Sequence, residues 1–256
     1  MRTIQLAVAL FLSVCFQGIA SGQYLHFHKN ANGMPGLAVY QGNADWLAKQ
    51  EDPRSHLHEL KELTALQLVQ HDISLPEMRY VASLKQLRHL MIGQAPEAVK
   101  IGQPALSVLS ECQWLEDVWI CKTNLSNPDL MMLKKLPNLK RVTIEGGDLC
   151  KAGAPHGLSE EAALILASIK TLEEVAIRGD AGFSDQSVRE LAKLPRLEAL
   201  ELNSSKFTDE TLEIITSQMK LRELWIRSPR FTDEGVQVFK EANAIEILTV
   251  ERDALQ

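Results

Sequence analysis

Four histidines near the start of the chain have the spacing of metal ligands. They form two His-x-His pairs, His26 with His28 and His56 with His58. Imidazole suits zinc and copper, so one interpretation is a metal-binding protein that uses these pairs. The other interpretation is four solvated side chains in a polar segment. We adopt the second and predict no metal and no other cofactor.

The sequence patterns that accompany catalysis are absent from the chain. Its 256 residues contain no Gly-rich phosphate loop, no HExxH motif, no CxxC pair and no nucleophile-elbow spacing. Scattered Ser, His and Asp residues are expected by chance at this length, and nothing places a nucleophile beside a base. We therefore predict that the protein is not an enzyme.

Tryptophan, arginine and carboxylate residues at alternating strand positions have the chemistry of molecular recognition. Aromatic residues and arginine are enriched among binding hot spots. The candidates for partner contact are Trp119, Arg141, Glu174, Arg178, Glu201, Asn203, Glu223, Trp225 and Arg227. Two other interpretations remain open: a carbohydrate- or cell-wall-binding module that stacks sugars on Trp119 and Trp225, and a solvated salt-bridge ladder without a partner.

A sequence repeat, clearest in residues 183–226, must position these candidates. The pattern Phe-Ser/Thr-Asp, an apolar-spaced run and then Leu-x-x-Leu-x-Leu or its isoleucine variant occurs twice there, and Phe231 begins another copy. Self-similarity at a fixed period of this size is typical of a solenoid, and the hexad is typical of a leucine-rich repeat.

Eight such hexads follow one another along the chain. They start at Leu63, Leu87, Leu115, Leu139, Leu172, Leu197, Leu221 and Ile245, with spacings of 24, 28, 24, 33, 25, 24 and 24 residues. Apolar and polar residues alternate in each hexad, which predicts a half-buried strand. The expected fold class is α/β: a leucine-rich-repeat solenoid, or horseshoe, with a parallel sheet on the concave face and helices on the convex face.

The stretches between the hexads have helical periodicity and begin at polar residues. The predicted N-caps are Ser126, Ser159, Ser184, Thr208 and Thr232, whose hydroxyls can accept from first-turn amides. The two longest spacings put extra residues after the strands, at 93–104 and 146–158. We interpret the first insertion as loop drift and the second as a candidate rim contact.

The strand–helix unit of 24 residues and the sequence motif Phe-Thr-Asp-Glu-Gly-Val at residues 231–236 resemble those of a known family. They are similar to leucine-rich repeats of the ribonuclease-inhibitor-like and F-box-associated type, especially in secreted proteins of bacteria such as planctomycetes. The resemblance covers residues 63–256. It implies recognition of a protein partner through the concave face.

The start of the chain predicts export. Residues 1–22 resemble a secretory signal peptide, with Arg2 in the positive region and a short apolar run over residues 4–15. We expect residues 23–62 to form an N-terminal cap, because a solenoid shields its core with atypical end units. Residues 63–256 then form the repeat domain. No run spans a bilayer comfortably, so the expected location is secreted or periplasmic after cleavage.

The charge and the chain ends bear on partners. The formal net charge of −6 argues against nucleic acid as a partner, because nucleic-acid-binding proteins show a basic patch.

Three cysteines remain after cleavage: Cys112, Cys121 and Cys150. Cys112 and Cys150 suit small buried positions. Only six residues follow Val250, which leaves an open strand edge and predicts self-association at that end.

Overall fold

The computed structural model of the chain describes residues 25–28, 37–41, 64–69, 75–92, 101, 103–121, 125–145, 158–180 and 182–252. The predicted signal segment, His56, His58, Cys150 and nearly all of the candidate rim loop at 146–158 lie outside the described residues. The strand that contains His26 and His28 is described, but their side chains are not. The metal hypothesis therefore stays a prediction.

Within the described residues, ten strands form one sheet in strict chain order. They are β1 (Leu25–His28), β2 (Leu37–Gln41), β3 (Ala65–Val69), β4 (His89–Ile92), β5 (Asp117–Cys121), β6 (Arg141–Glu145), β7 (Glu174–Asp180), β8 (Ala199–Asn203), β9 (Glu223–Arg227) and β10 (Ile247–Glu251). β1 is antiparallel to β2, and each later neighbouring pair is parallel. The predicted leucine-rich-repeat fold is confirmed, with the eight predicted strands as β3–β10.

The strand register shows why the leucines repeat. One inward column runs through Leu66, Leu90, Val118, Val142, Val175, Leu200, Leu224 and Leu248. All of these except Leu248 are at most 4% exposed. Each apolar side chain thus packs on its equivalents in the neighbouring repeats, and the repeats share one continuous core.

The described segments between the strands of β3–β10 contain helices. They are α1 (Leu75–Val81), α2 (Gln103–Leu109), the 3₁₀ helix η1 (Asn127–Lys135), α3 (Glu160–Ala167), α4 (Asp185–Leu191), α5 (Asp209–Gln218) and α6 (Asp233–Ala242). All five predicted N-cap residues directly precede a helix, η1 or α3–α6. The hydroxyls of Thr208 and Thr232 accept from first-turn amides at 3.3 and 2.9 Å, as predicted, whereas the described contacts of Ser159 include no such bond. In η1 the winding is tighter than expected, with the Asp129 amide donating to the Ser126 carbonyl at 3.0 Å.

The aspartate of the Phe-Ser/Thr-Asp pattern links consecutive repeats. The Asp185 carboxylate accepts from the Thr208 backbone amide at 2.9 Å and from the Thr208 hydroxyl at 2.8 Å. Asp209 accepts in the same way from Thr232, at 2.9 and 2.5 Å. Thr208 and Thr232 are therefore each held by an aspartate carboxylate of the preceding helix, which explains why the Phe-Ser/Thr-Asp pattern repeats as a unit.

The phenylalanine of the pattern is buried, and its carbonyl is bonded by the next repeat. Phe183 and Phe207 are 0% exposed. The Ser204 hydroxyl donates to the Phe183 carbonyl at 2.6 Å, and the Ser228 hydroxyl donates to the Phe207 carbonyl at 2.7 Å. After β10, the equivalent place is taken by Arg252, whose Nε donates to the Phe231 carbonyl at 2.7 Å. Arg252 also forms an ion pair with Asp233.

The unit of 25 residues contains a β-bulge in β7. Ile177 is paired with Leu202, whereas the next residue of β8, Asn203, is paired with Asp180. Gly179, within the bulge, has a φ of 100°, a conformation that glycine adopts without the steric cost of a side chain. Two residues, Arg178 and Gly179, lie between the paired residues Ile177 and Asp180, so the bulge places Asp180 beside Asn203 where an unbroken register would place Arg178.

Candidate binding surface on the concave sheet

Side chains on the concave side of β4–β10 form three columns, because parallel in-register strands set equivalent residues side by side. The first column contains His89, Asp117, Arg141, Glu174, Ala199, Glu223 and Ile247, and the second contains Met91, Trp119, Thr143, Ala176, Glu201, Trp225 and Thr249. The third contains Cys121, Glu145 and Arg178, then Asp180, Asn203, Arg227 and Glu251 across the bulge. All nine predicted contact residues lie in these columns.

The columns differ in exposure from residue to residue. Glu201 is 4% exposed, Glu145 is 8% exposed and Cys121 is fully buried. Trp119 and Trp225 are half-buried. Alternation along a strand assigns a side chain to a face, but its burial depends on which neighbours lie over it. The sequence pattern could not make that distinction.

A buried ion pair occupies the centre of the face. Arg178 donates through Nε to Oε1 of Glu201 at 2.9 Å and through Nη2 to Oε2 at 3.0 Å. Bidentate contacts of this kind are strong and geometrically specific. The guanidinium carbon also lies 5.2 Å from the ring centroid of Trp119, within cation–π range. Arg178 thus joins β5, β7 and β8 from above the sheet.

Burial and charge act in opposite directions on this pair. Burial lowers the pKa of Arg178, but the charge of Glu201 and its hydrogen bonds outweigh that effect and leave the pKa raised. Burial raises the pKa of Glu201, against the opposing effect of Arg178. Nearby, the Cys121 thiol donates to Oε2 of Glu145 at 3.4 Å. The centre of the face is therefore a packed polar cluster.

A second set of ion pairs lies at the ends of the columns. Oδ2 of Asp117 is 3.2 Å from His89 Nδ1 and accepts from Arg141 Nε at 3.1 Å. Arg227 donates to Glu251 on the next strand. The three arginines predicted as contact residues are thus each paired with a carboxylate of a neighbouring strand. The salt-bridge ladder considered from the sequence is present in this part of the structure.

Two carboxylates of the first column have no ion pair among the described residues. Glu174 and Glu223 are both register partners of Ala199 and are half-buried. Burial raises the pKa of Glu174, and the Asp117 charge raises it further, while Arg141 has the opposite effect. Ala199 has only a methyl group, so it leaves space between the two carboxylates.

Three buried polar atoms of the face have no hydrogen-bond partner among the described residues. They are Nε1 of Trp119, Nε1 of Trp225 and Oδ1 of Asn203. Leaving such an atom without a partner is energetically costly. These atoms belong to three of the nine predicted contact residues, and they lie on the same side of the sheet.

Comparison with known proteins gives no family. No protein-family model matches the chain, and no curated protein matches it. Among solved structures, the chain is similar to internalin C2 of Listeria monocytogenes, with 16% identity and a TM-score of 0.45 over 76% of this chain and 74% of that one.

Two further solved structures are similar to a comparable degree. A Bacteroides fragilis protein has 12% identity and a TM-score of 0.43 over 97% of this chain and 82% of that one. An internalin of L. monocytogenes, InlF, has 15% identity and a TM-score of 0.41 over 79% of this chain and 64% of that one. Sequence identities and TM-scores this low do not assign a function, so the candidate site is inferred from the contacts of this chain alone.

Several residues of the face were not among the predicted contact residues. Glu145, Cys121 and Asp117 lie in the same columns and contribute to the ion pairs and hydrogen bonds described above. Their strand positions already predict them to lie on this face, since they alternate in register with the chosen residues. Asp180 could not be found in this way, because the bulge brings it into the column.

The helices that the structure describes are too short or too polar to form a membrane span.

Proposed function

We propose that this protein is an exported, non-enzymatic binding module that recognises a protein partner through the concave face of its sheet. The observation that carries the proposal is the pair of half-buried indoles, Trp119 and Trp225, in the central column of a continuous parallel sheet. Fixed aromatic side chains supply contact area at a low entropic cost, and they are enriched among binding hot spots.

The contacts of the face support binding rather than catalysis. They consist of interstrand ion pairs, one cation–π contact and a thiol–carboxylate hydrogen bond. Such contacts orient side chains, and the thiol–carboxylate pair, Cys121 with Glu145, is buried on both sides, which leaves a substrate no access to the sulfur. A surface held in this way is preorganised, which lowers the entropic cost of association.

Export and domain boundaries remain part of the proposal. The proposal includes removal of residues 1–22, a cap over residues 23–62 and a repeat domain of the ribonuclease-inhibitor-like type over residues 63–256. Mass spectrometry of the protein recovered from its native extracytoplasmic fraction tests the first point. A mature chain that still carries residues 1–22 would contradict export with signal cleavage.

A pull-down tests the proposed face. The mature wild type is compared with a Trp119→Ala/Trp225→Ala double variant in capture from the native extracellular or periplasmic fraction. A Trp114→Ala variant is the matched control, because Trp114 is also half-buried but packs under Lys85, outside the three columns. We expect a protein captured by the wild type and the control but not by the double variant, with intact circular dichroism in all three. Equal capture by all three would contradict the proposal.

The carbohydrate and metal alternatives have separate tests. A glycan-binding module would be retained on cell-wall polysaccharide and would lose that retention in the double tryptophan variant. A metal-binding protein would be stabilised by zinc or copper and would lose this effect when His26, His28, His56 and His58 are replaced. Either result would replace the proposed function, whereas neither is expected from a protein-binding face.

Self-association through the last strand remains a prediction. Within the described residues β10 is paired only with β9, and all five of its residues are half-buried. An exposed strand edge can pair with another chain. Light scattering at increasing concentration measures this directly, and a strictly monomeric protein at high concentration would contradict it.

A further inference from the structure

The described concave face has more carboxylates than cationic side chains. In β5–β10 its columns contain Asp117, Glu145, Glu174, Asp180, Glu201, Glu223 and Glu251, against Arg141, Arg178 and Arg227. Each of these arginines is already paired with a carboxylate of the face. The excess negative charge therefore remains available to a cation supplied by another molecule.

The excess is concentrated around Ala199. Glu174 and Glu223 lie on the strands to either side of it, in register with it, so their backbones are about 10 Å apart. Ala199 is half-buried and has only a methyl group, so β8 contributes no long side chain between the two carboxylates at this position. The position above Ala199, between Glu174 and Glu223, is called the opening below, and an extended Lys or Arg side chain would reach both carboxylates from it.

The electrostatics of Glu174 agree with this geometry. Burial raises its pKa, and the nearby charges of Asp117, Glu223 and Glu201 raise it further, while Arg141 only partly opposes them. The ionised form of Glu174 is thus disfavoured in the protein by itself. A cation placed in the opening would stabilise that form, which makes the site complementary to positive charge.

The guanidinium of Arg178 shows which contacts a cationic side chain makes on this face. Arg178 lies over the ring of Trp119 and donates to both oxygens of Glu201. Trp225 lies in the same column as Trp119, directly beside Glu201, and Glu223 precedes it by two residues on the same side of β9. Among the described residues, no Lys or Arg side chain lies over the Trp225 ring.

We propose that the partner places a Lys or Arg side chain beside Trp225, in the opening between Glu174 and Glu223. This inference rests on the proposed function and defines its partner as a protein with a basic, accessible segment. The indole face and the carboxylates together would provide cation–π and charge-assisted contacts. Complementary charge would also accelerate association and make it sensitive to salt.

Selection from a random-sequence displayed peptide library tests the inference. The mature wild type, a Glu174→Gln/Glu223→Gln variant and a Glu111→Gln/Glu213→Gln variant are used as parallel baits. Glu111 and Glu213 are exposed and lie outside the sheet, so both variants lose the same charge. We expect peptides rich in Lys and Arg from the wild type and from the control, and loss of that enrichment with Glu174→Gln/Glu223→Gln.

An affinity measurement adds a second readout. A Lys- or Arg-containing peptide selected by the wild type should bind Glu174→Gln/Glu223→Gln about tenfold more weakly, which corresponds to about 1.4 kcal/mol. Equal enrichment from all three baits, or none from the wild type, would overturn the inference. Peptides without basic residues whose binding is lost in Trp119→Ala/Trp225→Ala would overturn it while supporting the proposed function. Peptides insensitive to both the tryptophan and the glutamate changes would contradict both.

Discussion

Asp185 links two repeats, and its replacement should cost more than that of its equivalents. Its carboxylate accepts from the amide and hydroxyl of Thr208, at 2.9 and 2.8 Å, and from the hydroxyl of Thr211 at 2.5 Å. Thr211 is 0% exposed. In an Asp185→Ala variant the buried hydroxyl of Thr211 loses this acceptor, and the half-buried Thr208 loses both of its bonds to the carboxylate.

The expected loss of unfolding free energy is about 3 kcal/mol. The buried hydroxyl left without its acceptor accounts for about 1–3 kcal/mol, and the bonds to Thr208, which water can partly replace, account for about 1 kcal/mol. Removing a negative charge from the first turn of α4 adds roughly 0.3–1 kcal/mol. Asp185→Asn should lose less, because its amide oxygen still accepts hydrogen bonds.

The repeat supplies a matched control in Asp233→Ala. Asp233 occupies the same position of α6, but its side chain is 92% exposed and its ion-pair partner is Arg252. A surface pair of this kind contributes about 0–1 kcal/mol. Urea unfolding followed by far-UV circular dichroism measures all three variants. Equal losses in Asp185→Ala and Asp233→Ala would refute the view that the aspartate acts through the next repeat.

Three further results are expected. Gly179→Ala should lower the unfolding free energy by about 1–2 kcal/mol in the same urea assay, because alanine is strained at positive φ. An unchanged urea midpoint would contradict the positive φ of Gly179 in the bulge. Burial raises the pKa of Cys112 to about 12, so mass spectrometry after iodoacetamide treatment near pH 8 should show this thiol unmodified until urea unfolds the protein. The raised pKa of Glu174 means that the folded state holds the proton more tightly, so the contribution of Glu174 to stability falls as pH rises from about 4.3. The stability of Glu174→Gln relative to wild type should therefore increase between pH 4 and pH 7, and a constant difference would contradict the shift.

The hexad spacing and the cap residues were sufficient to predict the fold. Apolar residues such as Leu200 and Leu224 recur at one period, and only stacking of the strands side by side buries all of them together. The N-caps Ser184, Thr208 and Thr232 mark where the helices begin, since their side chains compete for local backbone amides. These features depend on residue types at fixed spacings along the chain, so they can be read from the sequence without knowing how the side chains pack.

The organisation of the concave face depended on the tertiary structure. The spacing of 25 residues showed that this unit is irregular, but only the backbone showed the bulge, in which a register shift of two residues pairs Asp180 with Asn203. The contact of Arg178 with Trp119 crosses an intervening strand, and no periodic pattern encodes the direction in which a long side chain leans. Which carboxylates are paired and which are left over, as Glu174 is, follows from those directions. The repeat period thus determined the sheet, and three-dimensional packing decided which side chains on its surface are paired, buried or left exposed.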